Sequence, residues 1–232
     1  MSDTAKIVVG RDESPAYQAA KRCLDVILAG VLLVALLPLL LLVGVLIKLD
    51  SAGPILFSQE RVGSRRVRGG GGRWQITSFR VLKFRTMVTN ADPRLHEAHV
   101  QAFVAGRLNG AGGAAPFKLH DDPRVTRVGA LLRKASIDEL PQLVNVLAGH
   151  MSLVGPRPVP LYEVSHYSPE HWQRFAARPG ITGLWQVSGR CAVSFEEMTR
   201  LDLEYVRQKS LRLDVKILLA TIPAVVSTTG AG

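Results

Sequence analysis

The chain has 232 residues, 47% of them hydrophobic, with 29 Lys and Arg against 19 Asp and Glu. That length and apolar content exclude wholesale disorder and fit one sizeable domain or two small ones. A formal net charge of +10 points to an anionic partner: nucleic acid, acidic lipid headgroups or a phosphate-bearing substrate.

Two cysteines, Cys23 and Cys191, argue against a disulfide framework and for a reducing compartment, so the bulk of the chain is read as cytosolic. Residues 1–17 read as a mobile tail. The chain's first 22 residues mix four basic with three acidic side chains, unlike the cationic start of a secretory signal, and no cleavage is expected. A helix is expected from about Tyr17 into the apolar run.

Val26 to Ile47 is 22 residues without a charge. As a straight helix it would reach about 33 Å, against about 30 Å for the hydrocarbon core of a bilayer. Pro38 removes a backbone donor and clashes with the carbonyl four residues earlier, so a bend is expected between Val34 and Pro38, leaving each arm too short to cross alone. Lys21 and Arg22 precede the run, and Lys48, Arg61, Arg65, Arg66, Arg68 and Arg73 follow it. Basic flanks on both sides favour a re-entrant hairpin over a single pass. A spanning helix kinked at proline stays open, and a buried soluble helix is disfavoured by length.

Further along, Asp50 to Pro54 is a turn, residues 55–63 a short strand, and Trp74 to Met87 a second strand with Arg80, Lys83 and Arg85 near its end. Between them lies an Arg- and Gly-rich stretch, 64–78, in which Gly69 to Gly72 lack the Lys-Ser or Lys-Thr of a phosphate cradle and read as a loop tip. Thr89 to Asp122 reads as a helix plus a long loop, and residues 124–158 as two helices with a short connection. Helices are expected at Pro169 to Ala177 and Phe195 to Ser210. Leu211 to Ser227 is an apolar segment suited to the membrane interface or the domain surface.

The densest chemistry lies in RKASIDELPQ, residues 133–142. One reading is structural: Ser136 and Glu139 form a capping box, with Asp138 favoured in the first turn. The other starts the helix at Pro141, which prefers the first helical position, and leaves Asp138 and Glu139 just ahead of it. An ionised carboxylate beside cations is what a phosphorus-directed nucleophile requires. Three further turns carry Lys83 and Arg85 (KFRTM), Arg157 (GPRP) and Arg178 (RPGITG), cations whose proline and glycine neighbours pre-organise them for phosphate oxygens. No Gly-x-Ser-x-Gly, His-Glu-x-x-His or Cys-x-x-Cys occurs, and His96 and His99 read as surface residues. The basic stretch Arg61 to Arg73 lacks the interleaved aromatics of an RNA site, so an anionic membrane surface is preferred to nucleic acid. A noncatalytic basic adaptor on the membrane is the alternative of another class.

Taken together, KRCLDVILAG, FSQERVG, KFRTM, RKASIDELPQLVNVLAGHMSLVGPRP, RPGITGLWQVSGR and LDLEYVRQKSLRLDVKILLATIP resemble the bacterial sugar transferases, the monotopic phosphoglycosyl transferases, over about residues 18–230. The resemblance implies an α+β, mainly helical, membrane-associated monotopic catalytic domain. Residues 18–49 would be a re-entrant helix-break-helix, and 50–232 a catalytic domain on the cytoplasmic face of the inner membrane, with interfacial amphipathic helices. It implies transfer of a sugar 1-phosphate from a UDP-sugar to a polyprenol phosphate such as undecaprenyl phosphate, releasing UMP, with Mg²⁺ assisting.

By the same resemblance Asp138 is the nucleophile and Glu139 its partner, both near the metal. Lys83, Arg85, Arg133, Arg157 and Arg178 hold substrate phosphates, and Lys21 and Arg22 meet the polyprenyl phosphate. Leu37 stands before Pro38 where many members have serine, and the 64–78 stretch is longer than the usual link. The sequence fixes neither the sugar nor the assembly state, a homodimer being one option.

Overall fold

The computed structural model describes residues 7–10, 12–67, 71–92, 94–107, 122–188 and 193–226. Cys191, the loop expected in the middle of 89–122, and part of the glycine-rich tip lie outside them.

The fold is mixed and mainly helical. Ser14 caps helix α1 (Pro15–Ala35), its hydroxyl accepting from the Tyr17 amide, and Pro15 takes the first turn, where its missing donor is harmless. The helix breaks at Leu36 and resumes as α2 (Leu37–Asp50), the two axes meeting at 61°. Pro38 sits in the first turn of α2, so the clash expected upstream of it is relieved by the turn at Leu36. Leu37 in place of serine does not prevent a sharp bend. No single helix among the described residues is long and apolar enough to cross a membrane; the bent pair is, by length and composition.

Strands β2 (Leu56–Arg66) and β3 (Arg73–Phe84) form a long antiparallel hairpin, in register from Leu56 opposite Phe84 to Arg66 opposite Trp74. The Arg- and Gly-rich stretch is thus the outer half of this hairpin, which buries side chains on both faces, Val62 and Trp74 on one and Phe79 and Val81 on the other. A third strand, β1 (Ile7–Val9), pairs antiparallel with β3 at Arg73 to Gln75. This differs from the mobile tail expected there. Ile7, Val8 and Val9 are β-formers, and the hairpin extension supplies the edge they need. The chain from β1 into α1 is then pinned: Asp12 lies 2.7 Å from Arg66, and Glu13 pairs with Lys209, whose amine also lies 4.9 Å from the Trp74 ring centre.

Helices α3 (Arg94–Val104), α4 (Arg127–Lys134) and α5 (Gln142–Leu147) follow, with a 3-10 turn, Ile137–Glu139, between the last two. Strands β4 (Ser152–Val154) and β5 (Gly180–Thr182) pair in parallel, and α6 (Leu184–Ser188), α7 (Phe195–Gln208) and α8 (Leu211–Val226) close the chain. The helix expected at Pro169 to Ala177 is only a 3-10 turn, His171–Phe175. A large core joins α1, the hairpin, α5, α7 and α8 through residues such as Trp74, Val146, Leu153 and Tyr205. A smaller cluster of Val43, Ile47, Phe84 and Leu132 seats α2 against the end of β3 and under the Ile137 turn.

Candidate active site

Three segments bring the chemistry together. Ser136 adopts φ +56°, a left-handed conformation rare outside glycine, and its side chain makes no cap hydrogen bond. The capping box therefore does not form. The reversal at Ser136 ends α4 and starts the 3-10 turn carrying Asp138 and Glu139, and α5 begins at Gln142, directly after Pro141. The dyad thus lies ahead of α5, close to the second reading of the sequence.

Lys83 reaches the dyad from the end of β3. Its amine is 2.7 Å from Glu139 Oε1 and 3.9 Å from Asp138 Oδ2. Arg157, from the turn after β4, donates to the same Glu139 oxygen at 3.0 Å. Burial alone would raise the Glu139 carboxyl, but Arg157 and Lys83 outweigh it and hold that group well below the usual carboxylate range. Burial works on Lys83 in the other direction, lowering its pKa against the attraction of Glu139. Asp138 itself is buried.

The register of this site depends on Asn145, which the sequence reading passed over. From α5 its side chain accepts the Leu82 amide (2.9 Å) and donates to the Arg80 carbonyl (2.8 Å), tying the helix behind the dyad to the strand that carries Lys83. A lone amide inside the apolar run LVNVL was the available signal. The Arg157 turn is fixed by backbone packing: a Cβ on Gly180 would come within 2.1 Å of the Gly155 nitrogen, so the two turns interlock only as glycines.

Other expected site residues go elsewhere. Arg85 is buried, and its guanidinium donates to the Ser51 carbonyl (2.8 Å) and to that of Ala52, at the C-terminal end of α2. Gly53, at φ +125°, leaves the room; a Cβ there would lie 2.7 Å from Arg85 Nη1. Lys21 pairs with Asp214 at 3.0 Å, and Arg22 donates to the Val146 and Leu147 carbonyls at 2.6 and 2.8 Å, closing the end of α5. Arg178 sits beside Arg22 and Asp25, where burial and the Arg22 charge lower its pKa. Lys21, Arg22 and Arg85 therefore lock the bent helix pair to the domain. The Arg133 side chain, at the end of α4, makes no hydrogen bond or ion pair among the described residues and stands near His96. His96, expected at the surface, is half-buried with its ring edge-on to Tyr162.

Glu139 of the dyad lines a mostly apolar cavity of about 460 Å³. Glu139 and Arg157 are its charged lining residues, and Ser136, Thr182, Gln186 and Thr221 add uncharged polar groups. Leu32 and Leu36 at the helix break, Leu143 of α5, Trp185 of α6, and Leu218 and Val225 of α8 supply much of its apolar lining.

Residues 16–228 match the sequence model of the family described as bacterial sugar transferase. The chain belongs to that family. Among its relatives, the exopolysaccharide production protein ExoY of Sinorhizobium fredii is 42% identical over 220 residues, covering 94% of this chain and 90% of that protein. The UDP-glucose:undecaprenyl-phosphate glucose-1-phosphate transferase of Caulobacter vibrioides is 42% identical over 225 residues, 93% of this chain and 73% of the relative. The galactosyl transferase CpsE of Streptococcus agalactiae is 40% identical over 224 residues, but the match spans only 44% of that longer protein. The matched region, residues 16–228, runs from the bent helix pair through α8, and so contains the dyad, Lys83, Arg157 and the cavity.

Among the described residues no three His, Cys, Asp or Glu side chains converge as a preformed metal cage. The dyad offers two adjacent carboxylates. Mg²⁺ is ordinarily held by one or two carboxylates with substrate phosphates and waters completing its octahedron, so these residues fit an ion that arrives with a phosphate-bearing substrate.

Proposed function

We propose that this protein transfers a sugar 1-phosphate from a UDP-sugar to a polyprenol phosphate, undecaprenyl phosphate being the expected acceptor, and releases UMP. The observation that carries the reading is the acidic dyad, clamped by Lys83 and Arg157, beside a mostly apolar cavity that Glu139 and Arg157 help to line. A water-soluble pyrophosphate needs the first feature, and an isoprenoid chain needs the second. The names of the relatives, which pair a UDP-sugar with undecaprenyl phosphate, support the same substrates.

In this mechanism an Asp138 oxygen bonds to the sugar-bearing phosphorus while the bond from that phosphorus to the bridging oxygen breaks. The electron pair leaves with UMP. The acceptor's phosphate oxygen then attacks the same phosphorus and frees the Asp138 carboxylate, so the aspartate ends as it began. Lys83 and Arg157 neutralise phosphoryl charge in both steps, with Glu139 fixing their positions. Mg²⁺, when bound by Asp138 and Glu139, would spread the negative charge of the pyrophosphate.

The bent helix pair is read as a re-entrant membrane hairpin, with the catalytic part on the cytoplasmic face of the inner membrane. Val34 is 76% exposed, Leu41 64% and Leu49 80%, and on α8 Leu219 and Ile222 are both 63% exposed. Apolar faces of that extent are seldom left to water. Mass spectrometry of protein incubated with a UDP-sugar and Mg²⁺, without acceptor, tests the mechanism: a sugar-phosphate adduct is expected on Asp138 and is lost in Asp138→Asn. Full turnover by Asp138→Asn would refute it. A UMP-release screen across UDP-sugars identifies the donor.

A further inference from the structure

Next to Arg157 lies a second set of polar groups that the mechanism above leaves unused, and none of them lines the apolar cavity. Arg61 projects from β2, where Val62 donates to the Val159 carbonyl and so fixes the strand against the Arg157 turn. Its Nη2 donates to Gln59 Oε1 at 2.6 Å and its Nη1 to the Pro158 carbonyl at 3.3 Å, while Nε is buried without a partner. No carboxylate pairs with Arg61 among the described residues. The charge acting on it most strongly is a like one, the guanidinium of Arg157. The Tyr162 hydroxyl beside it is also buried and unpartnered.

The neighbouring charges are directed mainly elsewhere, although Glu163 Oε2 is buried without a hydrogen-bond partner and Glu163 and Glu139 act on Arg61 from a distance. Glu163 accepts from the Tyr167 hydroxyl at 2.5 Å and faces Arg174. Asp122 holds Arg124 through two hydrogen bonds of 2.7 and 2.8 Å. Behind Tyr162, His96 is kept neutral, its pKa lowered to about 4 by burial and by Arg61, His99, Arg124 and Arg133. The pocket therefore holds a desolvated cation that no carboxylate touches, and a buried hydroxyl without a hydrogen-bond partner.

We propose that Arg61, with the Tyr162 hydroxyl, binds the leaving half of the donor through the phosphate of its nucleoside monophosphate. This assignment rests on the transferase reading. If the sugar-bearing phosphorus lies at Asp138 and Lys83, the second phosphate falls one bridging oxygen away. On the cavity side it would meet a mostly apolar lining with uncharged polar groups and no cation besides Arg157; past Arg157 it meets Arg61. That phosphate gains a negative charge as the bridging bond breaks, and a pre-positioned guanidinium counts most where charge develops. The acceptor's phosphate is a poorer match, because its isoprenoid chain must follow the apolar cavity that Arg61 does not touch.

The test is calorimetric binding of UMP to the full-length detergent-solubilised protein, with KM measured for the UDP-sugar and for polyprenyl phosphate. Arg61→Gln is expected to weaken UMP binding by about ten- to a hundredfold, the usual value of a charge-assisted contact. It should raise the UDP-sugar KM and leave the acceptor KM within about twofold. Arg61→Lys should recover part of the loss. Tyr162→Phe, which keeps the ring on His96, should weaken UMP severalfold and serves as the decisive variant where Arg61→Gln does not fold. Unchanged UMP affinity, or an equal loss for the acceptor, overturns the assignment. UMP release with Arg61-independent UMP binding would sink this inference alone; Arg61-dependent UMP binding without UMP release from any UDP-sugar would sink the transferase reading alone.

Discussion

Lys83 and Asp138 stand 3.9 Å apart, amine to carboxylate, while Glu139 holds the same amine at 2.7 Å. The lysine is thus anchored by one carboxylate and aimed at the other, so a phosphoryl group brought to Asp138 arrives beside a cation that needs no rearrangement. Lys83→Met is expected to slow adduct formation by about a hundredfold or more, in the range found when one charge-stabilising donor is removed. Lys83→Arg should retain part of the rate, because Arg157 still holds Glu139. Rapid-quench measurement of the adduct checks both, and a Lys83→Met rate within twofold of wild type would remove Lys83 from the mechanism.

Arg85 gives the opposite expectation, although the same KFRTM motif carries it. With its guanidinium spent on carbonyls at the end of α2, Arg85→Met should lower stability by about 2 kcal/mol or more, a fall of roughly 5 °C in Tm for a chain of this size. The UDP-sugar KM of the folded fraction should stay within twofold. A tenfold KM increase at unchanged Tm would instead return Arg85 to the phosphate site.

These two residues also show how far the sequence was legible. The bend at Pro38, the acidic dyad, Lys83 and Arg157 were readable because each rests on local chemistry: a missing amide, a proline before a helix, a cation at a strand end. The destination of the other cations was not. Arg85, Lys21, Arg22 and Arg178 look like phosphate ligands by composition, and three of them instead close helix ends or pair across elements distant in the chain. Arg61 made the reverse error, counted as membrane-facing charge but turned inward by its place on β2. The strand at Ile7 to Val9 was invisible for the same reason, since three residues form a strand only where another segment offers an edge.

Pro38 places the break within the turn at Leu36, and the 61° angle follows from it. Pro38→Ala restores the amide and removes the steric bar to a continuous helix, so the two arms should move toward one helix long enough to span. Single cysteines before Lys21 and after Lys48, in a background without Cys23 and Cys191, report the topology. In wild type both should be shielded from a membrane-impermeant periplasmic reagent. In Pro38→Ala a fraction should gain access at one position. Periplasmic access in wild type would refute the hairpin.

The half-buried, neutral His96 links stability to pH. Its folded pKa of about 4 lies below the ordinary value of 6.5, so between those limits the unfolded chain binds more protons than the folded one. Its contribution is complete above pH 6.5 and is lost as pH falls toward 4, by at most about 3 kcal/mol given the partial exposure. Denaturation midpoints should therefore drop through this window in wild type and drop less in His96→Gln. Equal slopes in the two proteins would show that other groups govern the acid limb.

Under α7 lies a fully buried charged cluster. Arg174 pairs with Asp202, has Glu163 at 3.9 Å and donates to the Tyr167 hydroxyl. Removing the one cation leaves two carboxylates without compensation, so Arg174→Met should cost about 3–5 kcal/mol. Adding Asp202→Asn and Glu163→Gln to it should recover much of that loss, because the uncompensated charges go with the cation that balanced them. A triple variant no more stable than Arg174→Met would show that the cluster contributes through packing and hydrogen-bond geometry rather than charge balance. Chemical denaturation of the single and triple variants at matched detergent separates the two.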